Sequence, residues 1–292
     1  MLSSGDSKAL ARAITLVENE LDDYRELLFS LQHRQAIPVI GFTGLPGPGK
    51  STLINALIRK LSSAGKKIGV LAIDPTSPFN HGSLLGDRIR MRDHFMDPNI
   101  FIRSIATRGS LGGLSEKAIE IVDVMKAAAF DLIIVETVGV GQSEVEIAGL
   151  ADTTIVVFVP EAGDEIQIMK SGIVEIGDIF VVNKSDREGA ALFVLHLEKE
   201  IHSFGSRDTM PPVIQTNAIS GAGVEELMAA IEKHGTSAEA QRKKTILFAE
   251  KAYRLIQKKR MRDVDMRTLA SSIEQAMLAS EFNLYKFAES YQ

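Results

Sequence analysis

The stretch from Pro38 to Leu57, PVIGFTGLPGPGKSTLINAL, leaves this chain few architectures to choose from. Val39, Ile40 and Phe42 read as a buried strand, the glycines and prolines after them as a loop, and Lys50 onward as a helix. Inside it lies the spacing G-x-x-x-x-G-K-[ST], carried by Gly44, Gly49, Lys50 and Ser51. Gly44, Gly47 and Gly49 let successive backbone N–H groups turn inward around a di- or triphosphate. Lys50 neutralises the β- and γ-phosphates, the Ser51 hydroxyl suits Mg²⁺, Thr52 follows in the first turn, and the helix N-terminus adds partial positive charge. A plain Gly/Pro turn before a helix is the bland alternative. Strand, loop, Lys-Ser and helix in the required order argue against it. The motif alone does not choose ATP over GTP.

At 292 residues the chain has room for one large α/β domain with appendages, or for two small domains. Apolar content of 45% is enough for a full core. A net charge of −5 argues against bulk electrostatic binding to nucleic acid or an anionic membrane. The absence of cysteine excludes disulfides, thiolate-bound zinc and thiol chemistry. No apolar run reaches the roughly 18 residues of a membrane span, and no basic-then-apolar leader opens the chain. The expectation is a cytoplasmic protein.

Residues 7–34 carry Leu10, Ile14, Val17, Leu21, Tyr24, Leu27, Leu28 and Leu31 at three- and four-residue steps, which predicts a helix or helix pair capped at Asp6 or Ser7. It is expected to pack against the nucleotide domain. After the phosphate-loop helix, strands are predicted to end at Asp74, to run over 100–106, to open DLIIVETVGVGQ (131–142) ahead of a switch-like loop, and to run over 153–159 and 178–186, with a last one opening PVIQTNAISGAGVEEL (212–227). Helices are predicted from about 115 to 129, near 164–176, over 187–203 and to about 234. Near-continuous β-branched strands alternating with helices imply a mostly parallel sheet covered on both faces, with the ligand beyond the strand carboxyl ends. From Thr236 onward the strands stop, and amphipathic helices over 238–260 and 266–280 follow. The division predicted is an N-terminal helical segment over 1–36, a P-loop domain over 37–235 and a helical dimerisation arm over 236–292.

Asn183-Lys184-Ser185-Asp186 ends a buried strand and fits N-K-x-D. A carboxylate accepts from the guanine N1–H and 2-amino group together, and adenine offers no such pair. The Asn side chain helps hold the loop and contacts the base, and the Lys184 stem covers the ring. TNAISGAG, 216–223, is a further base loop, with the N–H of Ala218 or Ile219 facing the guanine oxygen. Glu136 ends another strand, where an acidic residue near Mg²⁺ is followed by a glycine, Gly139, whose N–H reaches the γ-phosphate. Val140 stands where a water-orienting Gln directly after that glycine would be, and nearby Gln142 is not assigned that role. Asp74 and Asp87 are further candidates for holding Mg²⁺ through water or orienting the attacking water. His33, His81, His94, His196, His202 and His234 lack metal-ligand spacing and read as surface or capping residues.

Together GLPGPGKST, DPTSPFNHGSLLGDRIRM, RGSLGGLS, ETVGVGQSE, DEIQIMKSG and NKSD resemble the MeaB/ArgK family, the G-protein chaperones of adenosylcobalamin-dependent acyl-CoA mutases such as methylmalonyl-CoA mutase. The resemblance covers about residues 10–235. It implies a SIMIBI-class P-loop GTPase acting as a homodimer that gates adenosylcobalamin delivery and protects or rescues the mutase, with GTP or GDP and Mg²⁺ bound and no cobalamin held directly. Carried over by motif, Lys50 and Ser51 hold phosphates and Mg²⁺. Asp74, Asp87 and Glu136 form the acidic set around the metal and γ-phosphate, and Asn183 and Asp186 read guanine. Within DEIQIMKSG, Gln167 and Lys170 reorient toward the nucleotide when the mutase binds. Two departures are visible: Pro48 replaces the usual Val and removes one N–H donor, and the tail after Lys233 matches only loosely.

Three competing readings stand beside this one, and the first, an arginine-transport-linked kinase, finds nothing here that resembles a protein-substrate phosphotransfer site. A metallochaperone GTPase for metal-centre assembly would carry a His-rich or Cys-His site, which this chain lacks. A non-hydrolysing nucleotide-sensing scaffold would show no turnover with or without a mutase.

Overall fold

A computed structural model describes residues 6–31, 37–74, 94, 96–106, 116–137, 147–160, 172–203, 210–278 and 282–289; the side chains of Asp74, Glu116, Glu239 and Lys258 fall outside that description. Spatial proximity divides the chain into two units, Met1–Lys243 and Lys244–Gln292.

The first unit is built on seven strands: β1 (Val39–Thr43), β2 (Ile68–Asp74), β3 (Ile100–Ala106), β4 (Leu132–Thr137), β5 (Thr153–Phe158), β6 (Ile179–Asn183) and β7 (Val213–Thr216). All pair in parallel, in the order β3-β2-β4-β1-β5-β6-β7. The burial of each strand follows its place. β1, β4, β5 and β6 are buried at every residue, whereas the outermost strands differ: β3 is mostly half-buried, and β7 alternates buried with more exposed positions. That is why the inner strands read as unbroken apolar runs.

Alternate residues of each strand feed opposite faces. Ile40 and Phe42 join Leu53, Ile54, Leu57 and Ile58 of the helix α3 (Lys50–Ser63) on one face. Val39 joins Leu71, Ile73, Ile133 and Val135 on the other, beneath the helix α4 (Glu116–Lys126). The N-terminal periodic segment forms two helices, α1 (Ser7–Glu18) and α2 (Tyr24–Ser30), broken by left-handed residues at Glu20 and Asp23. Asp6 caps α1 through Oδ1, accepting from Lys8 N at 2.9 Å and Ala9 N at 3.2 Å. Leu10, Ala13, Ile14 and Val17 are buried against the α4 face, and Glu18 pairs with Arg103 of β3. The expected packing of this segment on the nucleotide unit is what the contacts show.

The remaining helices are α5 (Ile173–Ile176), α6 (Ala190–Ser203), α7 (Val224–Gly235), α8 (Ala238–Arg260), α9 (Met266–Leu278) and α10 (Leu284–Glu289). Of the helix expected over 164–176, the described part is the single turn α5. The short α10 was not expected; its signal is Asn283, whose Oδ1 accepts from Tyr285 N and Lys286 N. Lys243, the last residue of the first unit, lies within α8 and pairs with Asp178 ahead of β6.

The chain leaves β1 toward β2 on one side and leaves β4 toward β5 on the other, so the strand order reverses beside β1. In an open α/β sheet the crevice outside the strand carboxyl ends at such a point is where a ligand sits. The loop over 44–49 follows β1 there.

Candidate nucleotide-binding site

Gly44 leaves β1 at φ +132°, and a Cβ at that position would lie 2.3 Å from the carbonyl oxygen of Val157. No side chain fits between the loop and β5, so glycine is dictated twice, by conformation and by space. At the other end Gly49, at φ +84°, is the N-cap of α3 and has no side chain with which to cap it. A phosphate oxygen is the acceptor that such a helix end takes. The loop is folded around a cation: Lys50 Nζ donates to the carbonyls of Gly44 at 2.7 Å and Leu45 at 2.9 Å. A bound phosphate would offer this buried ammonium charged oxygens in their place.

Ser51 and Glu136 meet across the cleft. The Ser51 hydroxyl donates to Glu136 Oε1 at 2.7 Å, and both residues are buried. Register explains the meeting: Phe42 of β1 lies opposite Glu136 of β4, so the carboxylate sits level with the last turn of β1 before the loop. A hydroxyl and a carboxylate at one point are hard oxygen donors, the set that suits Mg²⁺. Asp74 ends β2 one residue beyond Ile73, which lies opposite Thr137, and so reaches the same carboxyl edge through its backbone. Asp87, Gly139, Gln142, Gln167 and Lys170 lie outside the described residues.

The N-K-x-D segment is tied to the phosphate loop and to the 216–223 loop at once. Asn183, fully enclosed, donates from Nδ2 to the Pro48 carbonyl at 2.8 Å. Its Oδ1 accepts from Thr216 Oγ1 and from Ala218 N, each at 3.1 Å. Lys184 adopts a left-handed φ of +56° and donates from Nζ to the Gly47 carbonyl at 3.2 Å. Asp186 is exposed, and its Oδ1 accepts from Asn217 Nδ2 at 2.8 Å. Gly47 and Thr52 are exposed beside the cleft. The structure therefore brings Lys50, Ser51, Glu136, Asn183, Lys184 and Asp186 to one edge of the sheet.

Three further observations bear on the sequence reading. The N–H groups of Ala218 and Ile219, expected to face the guanine oxygen, are both donated within the protein: Ala218 N to Asn183, and Ile219 N to Asn217 Oδ1 at 3.0 Å. The carbonyl of Pro48 gains a role as acceptor although its nitrogen has no hydrogen to offer. His94, read as a surface or capping residue, is buried, and His234 is half-buried with Nδ1 2.8 Å from Thr153 Oγ1. Sequence reading missed Thr216 and Asn217; their signal was position, directly before Ala218 in the loop already marked as base-facing.

The family model described as methylmalonyl-CoA mutase-associated GTPase MeaB matches residues 10–273. The chain belongs to the MeaB family. A protein of Pyrococcus abyssi that carries a GTPase name is 43% identical over 99% of this chain and 87% of its own length. The GTPase ArgK of Escherichia coli is 37% identical over 79% of this chain and 72% of its own length. Among solved structures, the crystal structure of an LAO/AO transport system kinase superposes with a TM-score of 0.70 at 24% identity, covering 98% of this chain and 92% of that one, a likeness of fold. The family match runs through α8 and into α9, well past the residue near 235 where the resemblance was expected to stop. As a MeaB-family member this protein is a P-loop GTPase that binds GTP and hydrolyses it to GDP and phosphate. The N-K-x-D segment at the end of β6 and the loop built on Lys50 lie at the same carboxyl edge of the sheet. Among the described residues no helix is long and apolar enough to cross a membrane.

Proposed function

We propose that this MeaB-family GTPase gates adenosylcobalamin delivery to a B12-dependent acyl-CoA mutase and protects or reactivates that mutase. The observation that carries the proposal is the match of a mutase-associated GTPase family to residues 10–273, on a chain whose Ser51–Glu136 contact and Asn183 clamp supply a nucleotide site. The protein works in the cytoplasm as a homodimer through its C-terminal helices, and cobalamin is handled by the mutase rather than held here.

Within the site, Lys50 steadies the β- and γ-phosphates, and Asn183 and Asp186 read guanine. Ser51, Glu136, Asp74 and Asp87 are the oxygen donors that would hold Mg²⁺, which supplies charge neutralisation at the bridging phosphates when bound. Glu136 has a second duty in this reading. By accepting from Ser51 it holds the first turn of α3 at the cleft. Lys170 delivers a positive charge to the γ-phosphate once a mutase is docked.

The competing reading as a chaperone of metal-centre assembly is disfavoured by the family matched and by a sequence without cysteine. Loading of apo-mutase, followed by the absorbance of bound adenosylcobalamin, tests the proposal. Loading in the presence of this protein should differ at least several-fold between its GTP- and GDP-bound forms. Loading rates that ignore the nucleotide would refute the gating role.

A further inference from the structure

Asn217 joins both walls of the base site with one side chain. Its Nδ2 donates to Asp186 Oδ1 at 2.8 Å, while its Oδ1 accepts from Ile219 N at 3.0 Å and Ser220 N at 3.1 Å. The partners fix the orientation of the amide. Reversed, its oxygen would face a carboxylate and its NH₂ two N–H donors. Asp186 itself is exposed, on a turn that follows the left-handed Lys184, and among the described residues Asn217 is the side chain that hydrogen-bonds it.

We infer that Asn217 is a specificity-determining positioning residue, which holds the Asp186 carboxylate in the orientation that reads the N1–H and 2-amino group of a guanine base. The inference rests on the proposed role of Asp186 as the guanine reader. One lone pair of Asp186 Oδ1 is taken by Asn217, which turns the remaining acceptor sites of the carboxylate outward as a set. An exposed carboxylate without that tie would have to be ordered at every binding event, a cost of about tenfold in affinity for one freely rotating side chain. The same amide caps the turn that carries Ala218 and Ile219, so the carboxylate and the facing loop keep a fixed spacing.

The test compares GDP with IDP, whose base lacks the 2-amino group, by calorimetry on the full chain. Asn217→Asp keeps an acceptor for the N–H groups of Ile219 and Ser220 and replaces the donor to Asp186 with a second carboxylate. GDP affinity should fall by about tenfold or more and IDP affinity by much less, so that the GDP-to-IDP ratio shrinks. Added negative charge repels both diphosphates alike and cancels in the ratio. Asn217→Ala, which removes donor and acceptor together, should shrink the ratio as well, and it decides if the aspartate variant does not fold. Equal losses for both nucleotides, or an unchanged ratio, would reduce Asn217 to a turn residue and overturn the inference. Asp186→Ala, measured alongside, separates the two layers. A ratio that collapses in Asp186→Ala but stands in the Asn217 variants removes the inference alone. A ratio that stands in Asp186→Ala removes the guanine reading of Asp186 and the inference with it.

Discussion

The Ser51 hydroxyl donates to Glu136 Oε1 at 2.7 Å, joining the first turn of α3 to the carboxyl end of β4 across the strand that carries the phosphate loop. Neither residue is placed by chance. Ser51 follows a loop whose exit from β1 is fixed by Gly44, and Glu136 is set opposite Phe42 by the β1–β4 register.

Replacing Glu136 with Gln keeps the size of the side chain and its ability to accept from Ser51, but removes the negative charge. Single-turnover GTP hydrolysis titrated with Mg²⁺ should show the metal requirement moved up and the rate lowered by about 10–100-fold, the usual effect of altering a ligand shell. GDP binding measured without metal should stay near the wild-type value. A Mg²⁺ dependence unchanged by the substitution would move the metal away from this carboxylate.

Gly44 and Gly47 make a paired test of the loop. Both have left-handed φ values, but a Cβ on Gly44 strikes the Val157 carbonyl at 2.3 Å, whereas one on Gly47 meets nothing within 4 Å. Gly47→Ala should cost only the backbone strain, about 1–2 kcal/mol. Gly44→Ala must also move β1 or β5 and should lower the melting temperature further, with loss of nucleotide binding. Equal shifts for the two variants would mean that the loop seats differently on β5.

The Asn183 side chain hydrogen-bonds both the phosphate loop, at Pro48, and the base loop, at Thr216 and Ala218. Asn183→Ala leaves buried partners of that amide unpaired, at about 1–3 kcal/mol for each. The loss should appear in the stability of the nucleotide-free protein as well as in affinity. Wild-type stability with weakened GDP binding would leave Asn183 as a base contact and not a clamp.

Beyond Lys243 the helices expose large apolar side chains, among them Ile246, Phe248, Tyr253, Leu255 and Ile256. Ending the chain after Lys243 keeps the Lys243–Asp178 pair with the nucleotide unit. Light scattering should find a dimer for the full chain and a monomer for the shortened one, with GDP affinity unchanged. A shortened chain that remains dimeric would place the interface on the first unit.

The strands were legible because burial on both faces leaves β1, β4, β5 and β6 as unbroken apolar runs. Lys50 and Ser51 were legible because a phosphate cradle needs a fixed spacing between its glycines and the helix. What the one-dimensional pattern hid were contacts between segments far apart in the chain. Asn183 reaches Pro48 across 135 residues, and Ser51 reaches Glu136 across 85; each depends on register and strand order, not on spacing. Asn217 was overlooked for a related reason, since its partner Asp186 belongs to the neighbouring strand's loop. One helix or two stayed open at the start of the chain because the turn between them rests on left-handed Glu20 and Asp23 without a glycine to mark it.

The most direct measurement is single-turnover GTP hydrolysis with and without an adenosylcobalamin-dependent acyl-CoA mutase, in the wild type and in Lys170→Ala. With no Gln directly after Gly139, the rate of the isolated protein should be slow, and the mutase should raise it. A lysine is a weaker point charge than an arginine fork, so the factor should stay below the roughly 10³ of an arginine finger. Lys170→Ala should retain the basal rate and GTP affinity and lose most of the stimulation. A wild-type rate that does not change when the mutase is added would contradict the proposed partnership.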